Sequence, residues 1–373
     1  MRDIYSLNRS DFEDYFVSLG IAKYRATQLM EALYRTKVSN IDEITTINKD
    51  IKKILSNDFT FGSLVIEKVQ EASDGTTKFL YRLSDGNLIE TVLMNQSYGY
   101  SVCVTSQVGC NMGCAFCASG QTKKIRNLEP FEMVLQVLYI DNYLQERDLR
   151  VSHVVVMGIG EPFDNYDNVL KFIDIINDAK GLAIGARHIT ISTCGLVPKI
   201  LEFANYPLQV NLAISLHFAT DEKRSKYMPI NHKYGIVELI NACKEYFKIT
   251  NRRLTFEYIL LSGVNDTIDD AKELVKLVRH LNAYVNLIPY NETGTQLRRT
   301  DEEARDKFFD YLIKNHINAI VRKEHGTDID AACGQLRVKT MKENNKKEQE
   351  YEVNGLHITR FGNKINKWGI HRK

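Results

Sequence analysis

From about residue 100 to residue 335 the chain alternates short apolar runs with longer helical patterns, and no other feature limits its fold as much. The strand-like runs are Ser101–Ser106, His153–Met157, His188–Ser192, Gln209–Ser215, Leu254–Leu261, Val285–Ile288 and Ala319–Val321. Helical stretches such as Pro130–Tyr143 and Tyr166–Ala179 lie between them. Strands separated in this way form a parallel sheet with covering helices. Six or more such units predict an α/β chain built as a full or partial β/α barrel rather than a small doubly wound sheet. Polar and glycine residues gather just after these strands, at Gly158–Glu161, Thr193–Gly195, Ser215–His217, Gly263–Asp266 and Asn291. In a β/α barrel that end of the strands carries the active site, so these clusters are expected to share one mouth.

The flanks read differently. Residues 1–60 are helical by pattern, with Phe12, Tyr15 and Phe16, then Leu29, Leu33 and Tyr34, at steps of three and four. Ser10 is the expected N-cap, with Glu13 completing a capping box, and Gly20 separates this helix from the next. Lys23, Arg25, Arg35 and Lys37 leave this region open to two readings, a packing domain or an RNA-contacting appendage. Residues 61–98 hold the runs Leu64–Ile66, Lys78–Arg82 and Ile89–Leu93, with turns at Asp74-Gly75 and Asp85-Gly86, and predict a small antiparallel sheet. The core follows over 99–337. Residues 338–373 form a polar tail with nine Lys/Arg against four Glu. Either it is solvated, or Trp368 among Lys364, Lys367 and Arg372 contacts RNA; Tyr351–Ile358 could be a strand within it.

Composition excludes more than it selects. The 373 residues are 44% hydrophobic and 26% charged, enough for a large core, and a net charge of +2 announces no nucleic-acid partner by itself. The start, Met1-Arg2-Asp3-Ile4-Tyr5, lacks a secretory apolar stretch, and no run of about 18 apolar residues is present. A cytoplasmic, non-membrane protein is expected. Seven cysteines are present, an odd count, with Cys110, Cys114 and Cys117 crowded together. That suits metal ligation or redox chemistry better than a secreted disulfide framework.

The crowded cysteines carry the strongest signal. Cys110-Asn111-Met112-Gly113-Cys114-Ala115-Phe116-Cys117 follows a strand, and three thiolates at this spacing can converge on one inorganic cluster. A structural zinc site asks for four ligands. A 4Fe–4S cluster held by three thiolates leaves one iron open for a ligand. The spacing, with an aromatic residue before the last cysteine, resembles the signature of the radical S-adenosylmethionine superfamily. Gly158-Ile159-Gly160-Glu161-Pro162 resembles that superfamily's glycine–glutamate–proline loop. Ser192, Ser215, His217 and Asn291, each at a strand end, make a credible cofactor pocket as a set. Cys333 lies in a loop of glycine, aspartate and alanine after the last strand, and Cys103 lies on the first. A cysteine pair at one mouth suggests nucleophilic and redox work.

Over roughly residues 5–340 the chain resembles the dual-specificity ribosomal RNA/transfer RNA adenine carbon-2 methyltransferases. The resemblance rests on Tyr24-Arg25-Ala26-Thr27-Gln28, Ser106-Gln107-Val108-Gly109-Cys110, Met157–Pro162, Asn286-Leu287-Ile288-Pro289-Tyr290-Asn291 and Asp328–Leu336. It implies a partial (β/α) barrel of the radical S-adenosylmethionine type, behind a small helical N-terminal domain and a short β linker. It implies a 4Fe–4S cluster on Cys110, Cys114 and Cys117, and two S-adenosylmethionine molecules per turnover. The first would methylate Cys333, giving S-methylcysteine. The second would supply the radical that takes a hydrogen from that methyl group, and the carbon then adds to the base. Cys103 would resolve the adduct through a transient disulfide with Cys333, and Glu90 would accept a proton. Gly160, Glu161, Ser192, Ser215, Leu216, His217 and Asn291 match cofactor-binding positions. The implied partners are 23S ribosomal RNA in its peptidyl-transferase region, transfer RNA beside the anticodon, and an electron donor such as flavodoxin or ferredoxin; a monomer is expected.

The chemistry is consistent with that route. The amidine carbon of adenine has no nucleophilic lone pair, so ordinary methyl transfer cannot reach it. A target base must also be unstacked to enter a barrel mouth. Cys194, where serine is usual, and Phe218-Ala219, where alanine–proline is common, depart from the family beside the pocket. The extended tail departs as well. The sister carbon-8 methyltransferase shares the cluster and both outlying cysteines; Val108 and Arg322-Lys323-Glu324 favour carbon 2. A non-catalytic RNA-binding protein with a structural metal cluster is the alternative from another class.

Overall fold

The structure, a computed structural model, describes residues 1–330 and 334–343. Cys333 and the tail beyond 343, with Tyr351–Ile358 and Trp368, lie outside the described residues.

Helices α1 (Arg9–Ser18), α2 (Tyr24–Glu31) and α3 (Lys49–Asp58) make up the N-terminal region, closed by a parallel pairing of Arg2–Asp3 with Phe59–Thr60. The first cap falls two residues before the expected Ser10. Asn8 caps α1 in a capping box with Asp11. The reason is the flanking pair: an Asn8 cap leaves Leu7 before the helix and Phe12 in its first turn, both buried, as a hydrophobic staple requires. A Ser10 cap would put Arg9 and Asp14 in those places. Ile4, Tyr5 and Tyr34 share one apolar cluster with the central helices, and Lys37 pairs with Asp141 at 2.7 Å, so this region is fastened to the rest.

The main sheet has ten strands among the described residues. In chain order they are β1 (Val65–Glu71), β2 (Thr77–Arg82), β3 (Leu88–Gln96), β4 (Gly99–Cys103) and β5 (Val151–Val156). Then come β6 (Ile189–Thr193), β7 (Asn211–Ser215), β8 (Leu254–Leu260), β9 (Ala283–Pro289) and β10 (Ala319–Val321). They are ordered sequentially across the sheet, β4 to β10 parallel and β1 to β4 antiparallel. The expected small antiparallel sheet is therefore no separate unit, because β3 pairs along β4 and continues the parallel sheet. β10 and β1 are its two edges, so the barrel is partial and open.

Helices α4 (Pro130–Gln145), α5 (Tyr166–Asn177), α6 (Val197–Phe203), α7 (Asp221–Tyr227), α8 (Ile236–Thr250), α9 (Ile268–Val278) and α10 (Glu302–Lys314) fall between the parallel strands. Their buried positions, such as Val134, Val137 and Leu138 of α4, join Val102, Val154 and Ile191 in the core. α11 spans 335–343 and runs past residue 338, where the sequence alone suggested a tail. No helix among the described residues is long and apolar enough to cross a membrane.

Candidate active site

The loop after β4 is pinned at both ends. Gln107–Val108 pairs antiparallel with Arg126–Asn127, and the Cys110 amide donates to the Thr122 carbonyl at 3.1 Å. Within the loop the Cys117 amide donates to the Cys114 carbonyl at 3.2 Å. Gly120 is required there, since an added Cβ would lie 2.8 Å from the Cys114 carbonyl oxygen. Cys110, Cys114 and Cys117 are free thiols on this one loop. Burial pushes the Cys110 thiol up to about 12, with Cys117 adding to the effect. Burial pushes Cys114 up further, with Cys117 and Cys110 adding and Arg224 opposing. Such thiols give up their protons to a bound cation, as metal ligands do. No three His, Cys, Asp or Glu side chains among the described residues converge as a single metal ion would need. A three-thiolate set on one loop, with a buried arginine nearby, fits a cluster.

The residues implied as cofactor-binding form a layer at the same strand ends. Gly160 has φ of +112°, and a Cβ there would lie 2.6 Å from the Gln107 Cβ, so only glycine lets these two loops meet. Glu161 is buried, and burial raises its pKa. Its carboxylate accepts from the Cys194 amide at 2.7 Å and the Phe163 amide at 3.0 Å. The Ser192 and Ser215 hydroxyls lie 3.3 Å apart on neighbouring β6 and β7. The Leu216 and His217 amides both donate to the Glu257 carbonyl, at 3.1 and 3.0 Å. His217 adopts φ of +58°, and its Nδ1 accepts from the Ile259 amide at 3.1 Å. Burial, then Arg224, pushes this imidazole down to about 3. It is therefore neutral at pH 7, and with Nδ1 accepting, its proton sits on Nε2 as a donor.

At the same strand ends lies a cavity of about 290 Å³. It is lined by Glu90, Cys103, Cys117, His217 and Asn291, together with Met157 and Arg322. Gly160, Glu161, Ser192, Ser215 and Leu216 do not line it. The half-buried Cys103 thiol is pushed up by burial, while Arg322 and Lys78 favour its thiolate. Glu90 is buried and fully engaged: it pairs with Lys78 at 2.8 Å and accepts the Gly334 amide at 2.7 Å and the Arg337 amide. Lys78 also donates to the Asp330 carbonyl at 2.6 Å. Asp330 and Gly334 flank the segment holding Cys333, so one buried node grips both sides of it.

Three participants escaped the sequence reading. Lys78, in a run read only as a strand, and Arg224, in a segment given no reading, are wholly buried charges, and Arg322 was taken only as a family marker. Pattern alone carries no signal for the burial of the first two.

Comparison with known proteins places the chain in a family. Residues 104–278 match the radical SAM superfamily model, and residues 2–60 match the ribosomal RNA large subunit methyltransferase N-terminal domain. The chain is 55% identical over 352 residues to a probable dual-specificity RNA methyltransferase RlmN of Enterococcus faecalis, covering 93% of this chain and 99% of that one. A protein of the same name from Listeria monocytogenes is 54% identical over 346 residues, covering 91% and 94%. The crystal structure of a radical SAM methyltransferase from Sphaerobacter thermophilus superposes with a TM-score of 0.85 at 40% identity, over 90% of this chain and 99% of that one. At this identity and coverage the chain belongs to the RlmN family of radical S-adenosylmethionine RNA methyltransferases, whose resident cofactors are a 4Fe–4S cluster and S-adenosylmethionine.

Proposed function

We propose that this enzyme methylates carbon 2 of an adenosine in the peptidyl-transferase region of 23S ribosomal RNA and of an adenosine beside the anticodon of certain transfer RNAs. Cys333 carries the methyl group as S-methylcysteine. The observation that supports this most is the common wall of Cys103 and Glu90, with Glu90 bonded to Gly334, the residue after Cys333. Held by Cys110, Cys114 and Cys117, the cluster supplies, with bound S-adenosylmethionine, the electron and radical chemistry needed at an unactivated methyl group.

The chain's own residues supply the rest. Glu161, Gly160, Ser192, Ser215, Leu216, His217 and Asn291 bind and orient S-adenosylmethionine, two molecules being used per turnover. His217 offers a neutral Nε2–H donor that adds no charge to the pocket. Cys333 presents its S-methyl carbon to the base. Once that carbon is bonded to carbon 2, the Cys103 thiolate attacks the Cys333 sulfur, and the S–S bond forms as the S–C bond breaks. The released carbon takes up a proton to complete the methyl group, and a thiol reductant restores the two cysteines. Glu90 takes the proton lost from carbon 2, and to do so must release one of its present donors. Tyr24, exposed with Arg25 stacked 4.8 Å from its ring centre, suits an RNA-contacting role for residues 1–60. The enzyme acts in the cytoplasm as a monomer and draws its electrons from flavodoxin or ferredoxin.

Anaerobically reconstituted enzyme, incubated with fragments of 23S ribosomal RNA and with transfer RNA, tests this reading. Mass spectrometry of the nucleosides should show 2-methyladenosine from both. 8-Methyladenosine would assign the chain to the sister chemistry instead. A Cys333→Ala variant should keep the cluster's visible absorbance and lose turnover; retained turnover overturns the carrier role.

A further inference from the structure

Arg224, on α7, is the largest fully buried side chain among the described residues. Its guanidinium donates to backbone carbonyls of Cys194 at 2.6 Å, Leu216 at 3.2 Å and Ser215 at 3.4 Å, and to Asn231 Oδ1 at 2.9 Å. None of these partners is a carboxylate. Asp221, one turn earlier, turns its Oδ1 to Asn231 Nδ2 and the Ile236 amide, each at 2.8 Å. Arginine stays protonated in proteins, so a permanent cation is enclosed here with dipoles as its direct partners, and the Asp221 carboxylate reaches it only at a distance, through Asn231. An enclosed ion is costly unless an opposite charge faces it.

The neighbours of α7 show where that charge belongs. The carbonyl of Tyr227, the last residue of α7, accepts the amide of Ala115, inside the cysteine loop, at 2.9 Å. Pro229 lies against Gly113, where an added Cβ would be 3.5 Å from the Pro229 Cγ. Met228, Phe218, Phe116 and Cys194 form one apolar cluster, against which Cys114 and Cys117 pack. Arg224 therefore lies in the floor beneath the cluster loop. Three thiolates on a 4Fe–4S core are net negative, and reduction adds another negative charge.

We propose that Arg224 is the buried counter-charge of the iron–sulfur cluster, a positioning residue that also favours the cluster's reduced form. Through its carbonyl bonds it ties the ends of β6 and β7, where the cofactor-binding residues lie, to the helix under the cysteine loop. The proposal rests on the cluster being held by Cys110, Cys114 and Cys117.

The test is the cluster's midpoint potential, followed by electron paramagnetic resonance in an anaerobic titration of the loaded enzyme without RNA. Arg224→Gln removes the charge and should disfavour the reduced cluster at least tenfold, about 59 mV for one electron. Arg224→Lys keeps the charge and should hold the wild-type potential. Asn231→Asp places a carboxylate against the guanidinium in its present setting, and should shift the potential in the same direction as Arg224→Gln. This third variant decides the matter if the glutamine variant does not fold. Wild-type potential in a loaded Arg224→Gln or Asn231→Asp protein overturns the proposal, as does a lysine variant that shifts as far as the glutamine one. Wild-type protein that takes up no iron or sulfide sinks the cluster assignment itself, a result distinct from either.

Discussion

The two wings of the sheet bring polar groups to the same mouth by opposite means. In the parallel wing most buried strand positions are apolar, as at Val154, Val156, Ile189, Ile191 and Ile214, and the polar groups of the mouth gather where the strands end. Ser192, Ser215 and His217 are therefore placed by the backbone and remain available to a ligand. In the antiparallel wing the chemistry lies within the strands. Lys78 of β2 and Glu90 of β3 become diagonal neighbours because Leu80 sits opposite Glu90 and Lys78 opposite Val92. Both are closed off by protein partners. Strand ends thus leave their polar groups free for the proposed cofactor contacts, while the mid-strand pair holds the polypeptide on either side of Cys333.

The contrast can be broken most forcefully at Lys78. Lys78→Met leaves the Glu90 carboxylate buried without its cation, which costs about 3–5 kcal/mol by the usual measure of broken buried pairs. Urea unfolding should register that loss, and Lys78→Met with Glu90→Leu together should recover much of it. A loss near zero in the single variant would mean that the pair does not hold this wing together.

A medium effect is expected in the parallel wing from acid. Unfolded His217 titrates near 6.5, whereas the folded imidazole is held down to about 3 by burial. Below pH 6.5 the unfolded chain binds a proton that the folded one refuses, so stability falls toward pH 3. The slope is up to about 1.4 kcal/mol per unit. Thermal unfolding between pH 7 and 5 should show this fall in wild type and a flatter profile in His217→Asn. The smallest change in stability should come from Ser192→Ala, within about 0.5 kcal/mol. Equilibrium binding of S-adenosylmethionine should nevertheless weaken. A Ser192 variant that loses stability but binds normally would reverse the division between the wings.

The same division explains what could be read from the chain. Periodicity marks the parallel wing well: Leu254–Leu261 and Ala319–Val321 match the observed strands to within a residue, because alternation with helices is a local signal. The cysteine loop and the glycine–glutamate–proline loop were legible because their residue types are costly elsewhere. Lys78 was not, since a lysine between Thr77 and Phe79 looks like the solvent face of a half-exposed strand. Among the described residues, Asp330, Gly334 and Arg337 close over that face, through contacts more than 240 residues apart in sequence. Arg224 lies in Asp221–Tyr227, a charged helix whose one inward position is set by distant loops. The α1 cap was missed by two residues because Asn8 and Ser10 are both good caps, and the decision lay with Leu7 and Phe12.

Gly334 has φ of +81°, and an added Cβ would sit 2.7 Å from the Ser119 Oγ and 3.1 Å from its amide nitrogen. Ser119 belongs to the turn Ala118–Gln121 that begins one residue after Cys117. Gly334 thus rests directly on the turn that follows Cys117. On the proposed assignment of Cys117 as a cluster ligand, filling the cysteine loop would also firm the bed of the segment that follows Cys333. Hydrogen exchange over 334–343 should slow when iron and sulfide are added.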